Sequence, residues 1–174
     1  MTKQSYSDAR PLIESGDILA FGHEGFASRS DLESQVVRFF TRSEFSHVGL
    51  AWVVAGRVMI LEAVVPMVRI YPLSRMGSFY WLPLRQPLSA EAEEKALSIV
   101  GQEYSKWEAI KSFFGRNRAN QKWQCAEFVQ TVLGVNGIKL DGNPTPTTMV
   151  RAAMELGAPL VMVRQSREDG TGML

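Results

Sequence analysis

The most constraining feature of the sequence is a pair of β-rich segments, residues 46–54 and 57–65, joined at Ala55 and Gly56. Valine, isoleucine and aromatic residues favour strands, and a two-residue connection that contains glycine is typical of a hairpin. The register of such a hairpin is fixed by the length of its turn. The sequence therefore predicts an antiparallel hairpin within a sheet.

Shorter elements surround this hairpin. The spacing of apolar residues, glycine and proline predicts strands at residues 16–21, 67–71, 80–84 and 159–163, and helices at residues 31–41, 90–100, 107–114, 124–133 and 147–156. We expect a single α+β domain with a central antiparallel sheet flanked by helices. Its core spans about residues 16–163, between a polar lead-in at residues 1–15 and a polar tail at residues 165–174.

Composition excludes several function classes. With 19 Lys+Arg and 18 Asp+Glu the formal net charge is +1, and no basic run typical of nucleic-acid binding occurs. One cysteine and two histidines supply neither an internal disulfide nor a four-ligand zinc cluster, so we predict no metal site. The polar N-terminus lacks the apolar core of a signal peptide, and no segment approaches the ~20 apolar residues of a membrane span. We therefore expect a soluble protein made in the cytoplasm, with its final site of action left open.

Cys125, the single cysteine, comes at the start of a predicted helix and is the candidate nucleophile. A thiol attacks as a thiolate, and the unpaired N–H groups of a first helical turn stabilise that anion. The same amides are placed to hold the negative oxygen of a tetrahedral intermediate. The alternative is a small buried hydrophobe, which is the commonest role of a free cysteine.

His47 lies in the first of the two hairpin strands. Because side chains alternate along a strand, His47 shares one face with Gly49 and Ala51, whereas Val48 and Leu50 face the core on the other side. The small residues beside His47 are expected to leave room for a second element or a substrate to reach the imidazole. The alternative is a surface histidine on a partly covered sheet.

Glu62 is the candidate third member of the site. Pairing of Val54 with Arg57 across the turn makes Glu62 a diagonal neighbour of His47 on the same face of the hairpin. A carboxylate in that position fixes the imidazole tautomer and supports the imidazolium. A bulge or an odd-length turn would instead move Glu62 to the other face. The alternative role is an edge-strand residue that favours solubility.

Five short motifs carry a resemblance to a known family: Gly-Asp-Ile-Leu at residues 16–19, Ser-His-Val-Gly at 46–49, Leu-Glu-Ala at 61–63, Gly-x-x-Tyr at 101–104 and Cys-x-Glu-Phe at 125–128. Their order resembles the circularly permuted branch of the NlpC-like, papain-fold cysteine hydrolases, which includes the relatives of lecithin–retinol acyltransferase. In the parent branch the cysteine helix precedes the histidine strand, whereas here the order is histidine, acid, cysteine. The resemblance covers roughly residues 16–133 and implies a permuted papain-like fold.

Carried over residue by residue, the resemblance implies Cys125 as nucleophile, His47 as general base and acid, and Glu62 as the residue that orients the histidine. Tyr104 of the Gly-x-x-Tyr motif is expected to line the pocket or to assist the oxyanion. Ala126 departs from the family, in which serine is common at this position.

Three further residues are assigned by their position. Gln124, directly before the nucleophile, is a candidate for substrate or oxyanion binding. His23 is the rival base, but it lies in a glycine-flanked loop and is assigned to substrate contact or simple exposure. Asp17 of the Gly-Asp motif is expected to be a turn or structural residue.

The resemblance implies thiol-dependent hydrolysis through an acyl-enzyme intermediate, without a cofactor. An amide bond of a peptide, preferably a cell-wall peptide from peptidoglycan, is the expected substrate by analogy with the family. An acyl-lipid substrate is the alternative, favoured by Trp107, Phe113 and Phe114, with the same triad acting as a lipid acyltransferase, thioesterase or lipase. A non-catalytic structural or binding module of a larger assembly is a second alternative, and a metallohydrolase, which lacks ligands, is a third.

Overall fold

A seven-stranded sheet forms the framework of the described part of the chain. The computed structural model describes residues 2–22, 45–103 and 124–165. Its strands are β1 (Thr2–Ser5), β2 (Ile18–Phe21), β3 (His47–Val54), β4 (Arg57–Ala63), β5 (Val68–Pro72), β6 (Phe79–Leu82) and β7 (Val161–Arg164). The strand order is β1-β7-β6-β2-β3-β4-β5, which places the predicted hairpin between β2 and the edge strand β5.

Four α-helices accompany the sheet within the described residues: α1 (Tyr6–Ala9), α2 (Ala90–Ile99), α3 (Cys125–Val135) and α4 (Pro146–Glu155). Short 3-10 segments lie at Arg10–Leu12 and Leu73–Arg75. The side chains of Ser89 and Thr145 cap α2 and α4 and satisfy amides that a first helical turn leaves unpaired. At Gln124, the residue before α3, no side-chain cap hydrogen bond forms. The first-turn amides of α3 are therefore not occupied by the side chain of its N-cap residue.

The predicted hairpin is confirmed. β3 and β4 pair in an unbroken antiparallel register from Leu50 to the turn, where Val54 lies opposite Arg57. Ala55 and Gly56 have φ angles of 49° and 72°. Left-handed backbone at both turn residues matches the twist of the flanking strands, which is why this two-residue connection closes the hairpin.

The other predicted strands and helices that fall within the described residues are also present, with ends that differ by a few residues. The helices predicted at residues 31–41 and 107–114 lie outside the described residues, as does the tail after residue 165. None of the described helices is long and apolar enough to cross a membrane.

The sheet is mixed, which corrects the prediction of a purely antiparallel one. β1 pairs with β7 in parallel, with Thr2 opposite Val161. Residues 1–15, predicted as a polar lead-in, therefore supply an edge strand, and Ala9 and Ile13 are buried. The sequence pattern does not reveal this strand, because a short, polar edge strand lacks the apolar alternation by which strands are recognised.

Both faces of the sheet are buried. One face packs on α2, α3 and α4 through a cluster that includes Val48, Leu50 and Phe128. The opposite face carries a second cluster, which includes Phe21 and Ile60. The prediction that Val48 and Leu50 face a core is confirmed, but the face that carries His47 is covered as well.

The space expected beside His47 is filled. A Cβ atom added at Gly49 would lie 2.7 Å from Cδ1 of Ile60 and 2.8 Å from the carbonyl oxygen of Leu61. Ala51, on the same face, is fully buried in the second cluster. Of the two expected occupants of this space, a second element and not a substrate is therefore the one observed at Gly49. The missing side chain of Gly49 instead admits Ile60 of the neighbouring strand.

Gly49→Ala is expected to destabilise the protein by about 1–3 kcal/mol, because the added methyl group overpacks against the backbone of β4. A lower urea midpoint at unchanged slope measures the loss. Gly134→Ala on α3 is the matched control, since a Cβ there meets nothing within 4 Å. It should leave stability unchanged or raise it by up to about 1 kcal/mol. Equal midpoints for Gly49→Ala and the wild type would contradict tight packing at this site.

Candidate active site

The structure brings the three predicted catalytic side chains into one connected set. Cys125 is the first residue of α3, His47 is the first residue of β3, and Glu62 is the penultimate residue of β4. All three are buried, with 9%, 7% and 0% of their surfaces exposed, respectively. The hairpin register carries Glu62 to His47, and the packing of α3 on β3 brings the thiol to the same place.

His47 is held from two sides. Its Nε2 atom lies 2.7 Å from Oε2 of Glu62. Its ring packs against Phe21, which is its partner on β2, with the two ring centroids 5.7 Å apart. The carboxylate fixes the tautomer that carries a proton on Nε2, and this leaves Nδ1 to face the thiol.

The thiol of Cys125 has three hydrogen-bond partners: the side chain of His47 and the backbone amides of Val48 and Ala126. Burial alone raises the pKa of this thiol, but the bond to His47, the charge of the ring and the two amides together hold it below its ordinary value. The N-terminus of an 11-residue helix adds partial positive charge at the same point. These contacts favour the thiolate, which is the reactive form of cysteine.

The pKa of His47 is shifted in the complementary direction. Burial lowers it, but hydrogen bonds to Cys125 and Glu62, with the negative charges of both groups, raise the pKa to about 10. This shift favours the imidazolium form of the ring at neutral pH. The two groups titrate as a pair, and the pair favours thiolate and imidazolium together.

Glu62 has a second partner that sequence reasoning missed. Arg69 on β5 donates a hydrogen bond from Nε to Oε1 of Glu62 at 2.8 Å, and its Nη2 forms an ion pair with the same oxygen at 2.7 Å. Burial raises the pKa of Glu62, but His47 and Arg69 outweigh burial and hold this pKa below its ordinary value. The predicted strands 57–65 and 67–71 leave one residue between them, whereas the observed strands end at Ala63 and begin at Val68, and this longer connection places Arg69 opposite Glu62.

Three predicted site residues remain: Gln124, Tyr104 and His23. Gln124 is buried directly before the nucleophile, and its carbonyl accepts the amide of Phe128 at 2.9 Å. Its role in substrate or oxyanion binding stays a prediction. Tyr104 and His23 lie outside the described residues.

Asp17 has the contacts of a structural residue. Its Oδ2 atom accepts hydrogen bonds from Trp81 Nε1 at 2.7 Å and from the amide of Glu14 at 2.9 Å, and its Oδ1 atom accepts from the amide of Leu84 at 3.0 Å. Burial outweighs these bonds and raises the pKa of the carboxyl. Asp17 therefore ties the turn before β2 to the end of β6, in agreement with the role expected from the sequence.

Across the ranges that the structure describes, no three His, Cys, Asp or Glu side chains are grouped so that they could hold a metal ion. Glu62, His47 and Cys125 are instead connected in series, with the imidazole between the carboxylate and the sulfur. A serial arrangement suits the passage of a proton between the sulfur and the ring rather than coordination of a single cation.

Comparisons with known proteins bear on the fold. Neither a protein-family model nor a curated protein matches the sequence. Among solved structures, the chain is similar to the crystal structure of the metalloprotein yiiX from Escherichia coli O157:H7, described as DUF1105. The match has a TM-score of 0.52 at 18% sequence identity and covers 91% of this chain and 93% of the other. At this identity the likeness shows the fold alone: the chain is an α+β protein built on a mixed sheet.

Proposed function

We propose that the protein is a cysteine hydrolase that cleaves an amide bond through an acyl-enzyme intermediate. The observation that carries the proposal is the hydrogen-bonded series Glu62–His47–Cys125, in which the pKa of the thiol is lowered and that of the imidazole is raised. A cysteine buried only for packing has apolar surroundings, and its pKa is raised. The series therefore favours a nucleophile over the alternative of a small buried hydrophobe.

In the proposed first half-reaction, the thiolate of Cys125 attacks the carbonyl carbon of the substrate. The electron pair of the C=O double bond moves to oxygen, and the amide of Cys125 at the N-terminus of α3 donates a hydrogen bond to this oxyanion. The imidazolium of His47 then gives its proton to the leaving amine as the C–N bond breaks. The products of this half are a thioester on Cys125, a free amine and a neutral His47.

Water completes the cycle. Neutral His47 takes a proton from water, and the resulting hydroxide adds to the thioester carbonyl. The C–S bond breaks, the acid is released and the thiolate–imidazolium pair is restored. Glu62 holds the ring in one orientation and stabilises the imidazolium whenever it forms. An alcohol or amine in place of water would make the same site a transferase.

We also propose that the fold belongs to the permuted papain-like, NlpC-like type. Support comes from the chain order, in which the histidine strand, the acid strand and the cysteine helix follow one another, and from the packing of α3 on β3. The short motifs at these three positions match those of the permuted branch in the same order. The observed α+β arrangement on a mixed seven-stranded sheet is compatible with this assignment.

A cell-wall peptide is the preferred substrate, on the strength of the family resemblance alone. The acyl-lipid alternative uses the same three residues, and the aromatic side chains that favour it, Trp107, Phe113 and Phe114, lie outside the described residues. The test therefore includes both substrate classes. It also includes a chelator, because the structural neighbour is described as a metalloprotein.

The test is a screen of purified muropeptides and phospholipids, with Cys125→Ala as the control. We expect the wild type to release a new amino group from a muropeptide, equally with and without EDTA, and the variant to release none. Acyl release or acyl transfer from phospholipid alone would replace the amide substrate with the lipid one. Turnover of neither class, together with a thiol that resists alkylation, would overturn the proposal in favour of a non-catalytic module.

A further inference from the structure

We propose that Arg69 is a positioning residue that holds Glu62 as an anion while His47 is neutral, so that the imidazole keeps one tautomer through the whole reaction. The inference rests on the proposed function, because only a cycle in which His47 gains and loses a proton gives Arg69 this task. The described contacts of Arg69 are with Glu62 and Tyr71, so it acts through Glu62 rather than on the reacting atoms.

The geometry at Arg69 is well defined. Nε and Nη2 lie 2.8 and 2.7 Å from Oε1 of Glu62, while the other carboxylate oxygen, Oε2, is taken by His47. Arg69 and Glu62 are directly opposite each other on β5 and β4. The guanidinium also lies over the ring of Tyr71, 4.6 Å from its centroid. A hydrogen bond, an ion pair and a ring contact therefore fix a side chain that is 42% exposed.

The need for this cation follows from the burial of Glu62. Its side chain is completely buried, and a carboxylate in such a place requires compensating charge. In the resting state both His47 and Arg69 supply it. Once His47 has given its proton to the leaving group, Arg69 is the one described residue that still supplies positive charge to Glu62. Without Arg69, Glu62 would tend to take up a proton at this stage and would no longer fix Nε2 as the protonated ring nitrogen.

Few other groups act on this carboxylate. Among the described residues, the charged groups that face Glu62 are His47 from β3 and Arg69 from β5. Cys125 from α3 reaches it only through the imidazole. The effect of removing the Arg69 charge is therefore expected to pass to His47 and from there to the thiol.

Three variants separate charge from packing. Arg69→Gln keeps a side chain that donates hydrogen bonds but has no charge, and Arg69→Lys keeps the charge on a single donor group. Arg57→Gln, at the exposed opposite end of β4, is the matched control. The readout is the pH dependence of Cys125 alkylation by iodoacetamide, which requires no knowledge of the substrate.

Arg69→Gln is expected to move the acid limb of the alkylation profile upward by about one pH unit, which lowers the rate on that limb about tenfold. The physical reason is that in the resting state Arg69→Gln leaves the imidazolium as the one charged group, among the described residues, that faces Glu62. Glu62 then takes up a proton more readily, and the thiolate–imidazolium pair becomes less favourable relative to the neutral thiol and imidazole. Arg69→Lys and Arg57→Gln should both keep the wild-type limb. In a Glu62→Gln background, Arg69→Gln should add no further shift, since no carboxylate remains to be held.

A wild-type profile in Arg69→Gln, or the same shift in the Glu62→Gln background, overturns the inference and leaves the proposed function standing. Arg69→Lys decides independently if Arg69→Gln does not fold, because an acid limb displaced by a full unit in spite of the retained charge also overturns it. A wild-type thiol that does not react below pH ~8 contradicts the proposed function and the inference with it.

Discussion

Cys125→Ala is expected to reduce turnover of the cleaved substrate by at least about 10⁴-fold while the fold is retained. The variant lacks the atom that forms the acyl-enzyme, whereas it removes only one atom from the core cluster in which Cys125 lies. The measurement is product release per enzyme, with the urea midpoint of the same preparation as the control for folding. A loss smaller than tenfold would show that the reaction does not pass through this sulfur.

Cys125→Ser is the matched variant for this prediction. The serine hydroxyl is smaller than the thiol but keeps a hydrogen-bonding group at the same position, and His47 does not deprotonate an alcohol in the resting state. We therefore expect a loss of similar size to that of Cys125→Ala. A serine variant that retained most of the wild-type turnover would indicate a role for Cys125 other than nucleophilic attack.

His47→Ala is expected to lower turnover by about 10³-fold, because the variant removes both the base that forms the thiolate and the acid that protonates the leaving group. It also removes the contact that holds the pKa of Cys125 down. Steady-state rates across a range of pH measure the loss. Full activity in His47→Ala would leave the proposed mechanism without a base.

His47→Gln separates proton transfer from packing at the same position. Glutamine is able to donate a hydrogen bond toward Glu62 and to pack against Phe21, but it does not accept and return a proton. Its turnover should fall as far as that of His47→Ala while its urea midpoint stays closer to that of the wild type. Partial recovery of His47→Ala by added imidazole would support the assignment of His47 as the missing acid and base.

Two members of the site were predictable because they lie on one hairpin. Alternation along β3 and β4 and a two-residue turn with left-handed geometry fix the register, and this register carries Glu62 to His47. Strand alternation and turn length are local properties, which can be read from a single sequence. The pairing of Arg69 with Glu62 was not predictable in the same way, because it depends on a connection between Ala63 and Val68 that is longer than the predicted strand bounds allow.

The third member was predictable only in part. The apolar pattern of α3 places Cys125 in a first helical turn, but nothing local indicates on which strand that helix packs. The approach of the thiol to His47 followed from the family resemblance, and the structure supplies the contact.

Long-range packing explains where the sequence analysis failed. The parallel pairing of β1 with β7 joins the two ends of the described chain and leaves no periodic signal in the polar sequence of β1. The side chain that fills the space at Gly49 belongs to Ile60 on the neighbouring strand, so the glycine reflects close packing and not an opening for substrate. The β1–β7 pairing and the packing at Gly49 both depend on contacts with another strand, which the sequence of one strand alone does not specify.

In the proposed mechanism Cys125 and His47 form a thiolate–imidazolium pair at neutral pH. The rate at which iodoacetamide alkylates the folded protein, measured as a function of pH, tests whether this pair exists. Because the thiol pKa is lowered, the thiolate persists well below the ordinary cysteine value of about 8.5. Because the pKa of His47 is raised to about 10, the ring keeps its charge from neutral pH up to that point.

We therefore expect a rate that is level from neutral pH to about pH 10 and falls only at lower pH, and a His47→Ala variant whose rate climbs up to about pH 8.5 or higher. A thiol that resists the reagent until urea unfolds the protein, or a His47→Ala profile identical to that of the wild type, would contradict the account.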